Sequence, residues 1–204
     1  MIHFYKPTPK VTGTACSFYL NKKDNAFFST LIKQDGWNSE RRIGSFKKNK
    51  DNPNKRVNVK FSALEIASII DTIRSNRTFT GYHGSNQIAR FTFGPYFPKT
   101  QNEDGEWVKG SEQKGFSYSV TKENKEDSTE KSSYLIGFKF GEAELLAQHL
   151  SHLLLDSFKL TDALIEKSFR QNVAQASAPD PDPDRGPVKS SEPSELSDEE
   201  DDLW

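Results

Sequence analysis

The sequence predicts an α+β fold: two antiparallel four-stranded sheets, each followed by a helix, and then a disordered acidic tail. Three observations predict it. Strand-like segments recur ahead of each of two amphipathic helical stretches. The two strand-to-helix junctions resemble one another. Residues 176–204 carry almost no core-forming side chains.

Taken in order, residues 1–14 read as an N-terminal arm. Residues 15–20 and 26–33 are β-branched or aromatic runs joined by the turn-forming Asn21-Lys22-Lys23-Asp24-Asn25. Gln34-Asp35-Gly36-Trp37-Asn38-Ser39 punctuates a hairpin into a third strand over 41–48. The turn Asp51-Asn52-Pro53-Asn54 leads into 56–61, where Val57, Val59 and Phe61 alternate with Arg56, Asn58 and Lys60, the pattern of a half-buried strand. Ser62 and Glu65 then form a capping box for a helix with the stripe Ile66, Ile69, Ile70 and Ile73, ending near Asn76.

The order repeats. Residues 78–82, 87–93, 114–121 and 133–140 are strand-like, and a second helix starts at Gly141 and carries Leu145, Leu146, Leu150, Leu153 and Leu154. Residues 160–172 either extend that helix or form a short third one. Residues 94–113 read as a long loop containing Pro and Gly. Phe61 and Phe140 are each followed four positions later by Glu, a displacement of 79, whereas the helix stripes align better at 80. This predicts an internal duplication over about 15–76 and 78–158, inside one domain spanning 15–175.

A chain of 204 residues accommodates one domain of about 150 residues with an appendage. The 33% hydrophobic fraction and mean hydropathy of -0.78 average an ordinary body with a very polar end. Cys16 is the single cysteine, which excludes an intrachain disulfide and a thiolate zinc cluster and fits a reducing compartment. The N-terminus lacks a signal-peptide pattern, and no apolar run approaches membrane-spanning length. The expectation is therefore a soluble, intracellular, cytoplasmic protein without membrane association. The net charge of -1 conceals an asymmetry: residues 176–204 hold ten acids against Arg185 and Lys189, so the tail carries -8 and the body +7. Such a body suits a polyanionic partner.

Signatures of catalysis are missing from the sequence. There is no phosphate loop, no nucleophile elbow and no His-Glu-x-x-His. His149 and His152 share a helix but have no partners at metal-ligand spacing. Neither an enzymatic activity, a metal nor a cofactor is predicted. The strong local signal is basic: Arg41, Arg42, Lys47, Lys48, Lys50, Lys55, Arg56 and Lys60 fall within twenty residues in which Asp51 is the one acid besides them. Cations so arrayed neutralise successive phosphates and release counterions without reading sequence. Trp37 and Phe46 interleave with them, and Tyr82 and Trp107, with the cations Lys33 and Arg90, complete the candidate set. Exposed rings stack on unpaired bases, whose faces a duplex hides.

The end of the chain, Asp198-Glu199-Glu200-Asp201-Asp202-Leu203-Trp204, resembles the acidic C-terminal tips of bacterial and phage single-stranded DNA-binding proteins. That resemblance implies replication or recombination proteins docking on the tip. Four strands and a helix, twice over, resemble the Whirly family and the related single-stranded DNA-binding coactivator called positive cofactor four. The likeness covers residues 16–158 in topology and is supported in sequence at the junctions around Phe61 and Phe140. It implies two packed sheets with helices behind them, and single strands lying across the sheets between basic and aromatic residues. The Lys-Gly-Lys-Ala-Ala-Leu motif of the plant branch is absent, which removes any claim to that branch and its oligomer. An OB-type barrel is the competing fold, but it needs five strands and one helix.

The expected function is coating and protecting single-stranded DNA, without strong sequence preference, during replication, recombination or repair in a phage or bacterial setting. If the protein is phage-encoded, the compartment is the host cytoplasm. The alternatives are an RNA-binding or transcription-regulating module, or a protein-interaction protein that binds no nucleic acid. A homo-oligomer is compatible with the sequence.

Overall fold

The computed structural model describes residues 1–84, 87–101, 105–124 and 131–176. The chain divides into a body, Met1–Ile165, and a C-terminal unit beginning at Glu166. In the body, β1 (Ile2–Lys6), β2 (Thr14–Asn21), β3 (Ala26–Lys33) and β6 (Arg56–Phe61) form an antiparallel sheet in the order β1-β2-β3-β6, and β4 (Gly36–Asn38) pairs with β5 (Ile43–Ser45) in a small ribbon between β3 and β6. Helix α1 (Ala63–Ser75) follows. Strands β7 (Phe79–Gly84), β8 (Gln87–Tyr96), β11 (Gly115–Asn124) and β12 (Lys131–Phe138) form the second sheet, and the ribbon β9 (Lys99–Gln101) and β10 (Trp107–Lys109) lies between β8 and β11. Helix α2 (Phe140–Ala176) closes the order, so residues 160–172 extend the second helix.

Three expectations are corrected. The supposed arm contains β1, whose Phe4 pairs with Cys16 and whose ring is buried. The third strand expected over 41–48 shrinks to residues 43–45, because the segment turns back on β4 and never joins the main sheet. The residues 94–113 expected to be loop contain the end of β8 and the second ribbon.

The two halves correspond in strand register, but at a displacement different from the expected one. Ser62 caps α1 through its hydroxyl, and the Glu65 carboxylate accepts the Ser62 amide at 2.8 Å. At α2 the Glu142 carboxylate accepts the Lys139 amide at 2.8 Å. Glu65 and Glu142, 77 positions apart, therefore hold equivalent places. The same displacement superposes Ile66, Ile69 and Ile70 on the buried Ala143, Leu146 and Ala147, and Phe61 on the buried Phe138. Phe140, the counterpart of Phe61 expected from the sequence, is 54% exposed.

Packing explains why the two halves are one body. Phe18 and Phe93 are fully buried at equivalent positions, and their cross-strand partners Ser29 and Tyr118 meet at the centre, with Oγ and Oη 2.7 Å apart. The pair Phe4↔Cys16 corresponds to Gly81↔Phe91, with large and small exchanged. A Cβ on Gly81 would lie 2.0 Å from Phe91 Cζ, so this strand glycine is the space the ring occupies. The helices cross over: α1 packs against β7 and β8 of the second half as well as the β6 that leads into it, and α2 reaches the first half through Glu142 and Ser157. Lys6 of β1 pairs with Glu142, whereas its counterpart His83 of β7 brings Nε2 within 3.0 Å of Glu65 Oε1. Asn25 Nδ2 donates to the Ser157 carbonyl at 3.2 Å. Within the C-terminal unit, residues 166–176 are helical. The tail from residue 177 onward, including Asp198, Glu199, Glu200, Asp201, Asp202, Leu203 and Trp204, lies outside the described residues.

Candidate nucleic-acid interface

Alternation along the strands decides which side chains leave the core. In the first sheet Phe4, Cys16, Phe18, Leu31, Val57 and Val59 point inward. The opposite parity therefore presents His3, Tyr5, Ser17, Tyr19, Phe28, Thr30 and Arg56 on the outer face. A groove of about 640 Å³ runs over that face. His3, Tyr5, Tyr19 and Thr30 belong to its floor, and Phe46, Lys47 and Lys50, from the segment after β5, form a wall; Arg56 reaches in from β6. The rings are mutually arranged. His3 and Tyr5 stack at 6.1 Å between centroids, Tyr5 and Phe46 lie 5.9 Å apart, and Tyr19 and Phe28 stack at 5.6 Å.

The wall is held from behind by a buried amide. Gln34, 5% exposed, makes four hydrogen bonds. Its Oε1 accepts the Thr8 and Gly13 amides at 2.8 and 3.1 Å, and its Nε2 donates to the Thr8 and Gly36 carbonyls at 3.0 and 2.8 Å. Gly44 sits against this amide so closely that a Cβ there would lie 2.9 Å from Gln34 Nε2 and 2.3 Å from Pro7 Cβ. Asp35 Oδ2 accepts the Lys48 amide at 2.6 Å, and Asn49 Nδ2 donates to the Lys33 carbonyl at 2.9 Å. Arg56 is also fixed: Nε donates to Asn58 Oδ1 at 3.2 Å and Nη1 to the Lys50 carbonyl at 3.1 Å. A guanidinium held this way meets an anion without losing its full rotamer freedom.

Of the residues singled out from sequence, Phe46, Lys47, Lys50 and Arg56 line the groove. Lys60 is exposed on the same sheet, opposite Phe28. Trp37 is half-buried in β4 rather than standing exposed at a hairpin tip, while Arg41 and Arg42 occupy the exposed β4–β5 turn, where Arg42 has φ 52. Lys48 follows directly and Lys55 precedes β6, both exposed. Lys33 lies elsewhere, at the inner-face end of β3, with Nζ 5.0 Å from the Tyr134 ring; burial, and then the charge of Lys55, lower its pKa. Tyr82 and Arg90 pair across β7 and β8 on the second sheet, the guanidinium 5.6 Å from the ring and bridged to Glu123 at 3.0 Å. Trp107 is 66% exposed on the second ribbon.

Sequence reasoning missed His3, Tyr5 and Tyr19. The signal was the alternation Ile2-His3-Phe4-Tyr5, which places two rings opposite two core residues. Among the described residues no group of three or more potential metal ligands forms, and no helix is long and apolar enough to cross a membrane.

A solved structure of the plant transcriptional regulator PBF-2 superposes on this architecture with a TM-score of 0.51 at 12% identity, covering 81% of this chain and 85% of that one. The fold is Whirly-like. A crystal structure of WHY3 from Arabidopsis thaliana gives a TM-score of 0.49 at 10% identity, over 87% of this chain and 96% of that one. No protein-family model matches the sequence, and no curated protein does. The groove lies on the outer face of the first sheet, the side turned away from the core.

Proposed function

We propose that the protein binds single-stranded nucleic acid, preferring DNA, along the outer face of the first sheet, and coats it without strong sequence preference. The observation that carries this reading is the groove itself, in which four rings, those of His3, Tyr5, Tyr19 and Phe46, meet three cations, Lys47, Lys50 and Arg56. Rings take up bases and cations take up phosphates, a combination that suits an unpaired strand. The PBF-2 likeness supports the same reading by analogy of fold, and transcriptional regulation is its nearest variant. The acidic tip ending in Leu203-Trp204 supports recruitment of replication or recombination proteins, on its sequence alone.

A fluorescence titration with oligo-thymidine, duplex DNA and RNA at two salt concentrations tests the reading. Oligo-thymidine should bind most tightly and duplex most weakly, and affinity should fall with salt. Each groove cation that meets a phosphate adds roughly 0.7 to the logarithmic salt slope, so the double variant Lys47→Ala/Lys50→Ala should lower the slope by about 1.4. Absence of binding to any oligonucleotide at low salt would sink it. Deleting residues 176–204 removes a segment of charge -8 from a chain whose body carries +7 and should tighten binding at low salt; an unchanged affinity would rule out self-competition by the tail.

A further inference from the structure

The internal repeat makes each outer-face position of the first sheet comparable with one on the second. Register fixes the correspondence. Tyr5 pairs with Ala15 as Tyr82 pairs with Arg90, Tyr19 with Phe28 as Gly94 with Ser117, and Phe28 with Lys60 as Ser117 with Gly137. Several inward positions keep their apolar character between the halves, for instance Phe18 and Phe93, Leu31 and Val120, or Phe61 and Phe138, all buried. The outward positions that bear rings and cations in the first half do not. The stacked rings Tyr19 and Phe28 give way to Gly94 and Ser117, Arg56 to Ser133 and Lys60 to Gly137. At these four positions the first half has rings and charges where the second has only hydrogen or hydroxymethyl, while elsewhere on the face Ala15 gives way to Arg90 and Asn21 to Tyr96.

Tyr5 alone keeps a ring counterpart, and its setting differs. Tyr5 is flanked by His3 and Phe46, apolar faces with which a base can continue the stack. Tyr82 is flanked by Arg90, whose charge Glu123 already neutralises at 3.0 Å. The ribbons diverge as well. In the first half β4–β5 lies between the third and fourth strands of its sheet and supplies the groove wall, whereas in the second β9–β10 lies between the second and third.

We infer that the duplicated fold carries one nucleic-acid face rather than two: the first sheet holds the strand through His3, Tyr5, Tyr19 and Phe46, and the second sheet takes no part in holding it. This rests on the proposed function and deepens it, since it names the base-stacking residues and limits each chain to one strand. Tyr82, Arg90 and Trp107 fall outside the site.

The test pairs positional twins in the full-length chain, with a fluorescein-labelled thymidine oligonucleotide of about 12 nucleotides. Tyr5→Ala and Tyr19→Ala should each weaken binding about tenfold or more. Tyr82→Ala, with the ring equally exposed before substitution (57% against 60%), should change it less than about twofold. A second measurement needs no variant: ultraviolet crosslinking of the wild type to a bromodeoxyuridine-substituted oligonucleotide, with the attached peptides identified by mass spectrometry. Crosslinks at Tyr5, Tyr19 or Phe46 are expected. Crosslinks at Tyr82 or Tyr96, or a Tyr82→Ala loss matching that of Tyr5→Ala, overturn the single-face inference while leaving nucleic-acid binding intact. Failure of the wild type to bind the oligonucleotide overturns both.

Discussion

Replacing Gln34 by Ala isolates the support behind the groove wall. The substitution removes four hydrogen bonds and strands the Thr8 and Gly13 amides and the Thr8 and Gly36 carbonyls around a small void. Each bond contributes about 0.5–1.5 kcal/mol net, and a buried backbone group left unpaired costs about 1–3 kcal/mol. Three of the four bonds are only part-buried, so water can recover some of the loss. The expected destabilisation is then about 3 kcal/mol, to be read by urea unfolding monitored by fluorescence. With a slope of about 2 kcal/mol per molar urea, the midpoint should fall by about 1.5 M. Gln34→Glu separates geometry from volume. It keeps the acceptor for Thr8 and Gly13, loses both donors and buries a charge, so it should be at least as unstable as Gln34→Ala near neutral pH. Because the same amide fixes the wall bearing Phe46 and Lys47, Gln34→Ala should also weaken oligo-thymidine binding below the unfolding transition. A loss under about 1 kcal/mol for Gln34→Ala, or a Gln34→Glu variant as stable as wild type, would refute the reasoning.

Tyr118→Phe deletes the central hydroxyl and leaves Ser29 Oγ buried without its partner; about 1–2 kcal/mol should be lost in the same unfolding assay. Ser62→Ala breaks one side of the α1 capping box and should cost about 1 kcal/mol, with little effect on binding because α1 contributes no residue to the groove. His149 has its pKa lowered by burial first and by the N-terminal ammonium next, and its Nε2 is buried without a partner. The folded state thus disfavours protonation, so stability is fully present above about pH 6.5 and falls as pH drops through the lowered folded value. His149→Gln should flatten that part of the urea-midpoint profile. Glu142 shows the acid-side counterpart. Burial raises its pKa, but the Lys6 ammonium and the Lys139 amide outweigh this and leave it lowered. Its contribution is therefore present above the ordinary Glu range and lost as pH falls through the lowered value; a midpoint profile of Glu142→Gln parallel to wild type through that range would contradict it.

How much of this was legible depended on the range of the interactions. Helix α1 could be read to the residue, because Ser62, Glu65 and Asn76 act within one turn of the backbone they cap. Strands β2, β3 and β6 were legible from alternation and turn chemistry. Strand β1 was missed because five residues before a proline look like an arm until Cys16 and Phe18 are seen to pair with them. The displacement of the repeat went wrong because the matched string centred on Phe140, a residue facing solvent. Equivalence in fact follows Glu142, whose partner is a backbone amide. The candidate site was half legible for the same reason. Its cations and Phe46 lie close together in sequence, whereas the other three rings come from β1 and β2 and reach them only through the pairing of the sheet.

The exchange of helices between the halves also bears on how such a chain could be dissected. Severing the backbone between Asn76 and Thr78 would leave two peptides, each with an uncovered sheet and a helix shaped for the other's. Neither should hold its structure alone, yet the mixture should reassemble, each piece supplying the helix the other lacks. A chain cut there would thus be a two-piece protein whose halves are stable only in each other's company.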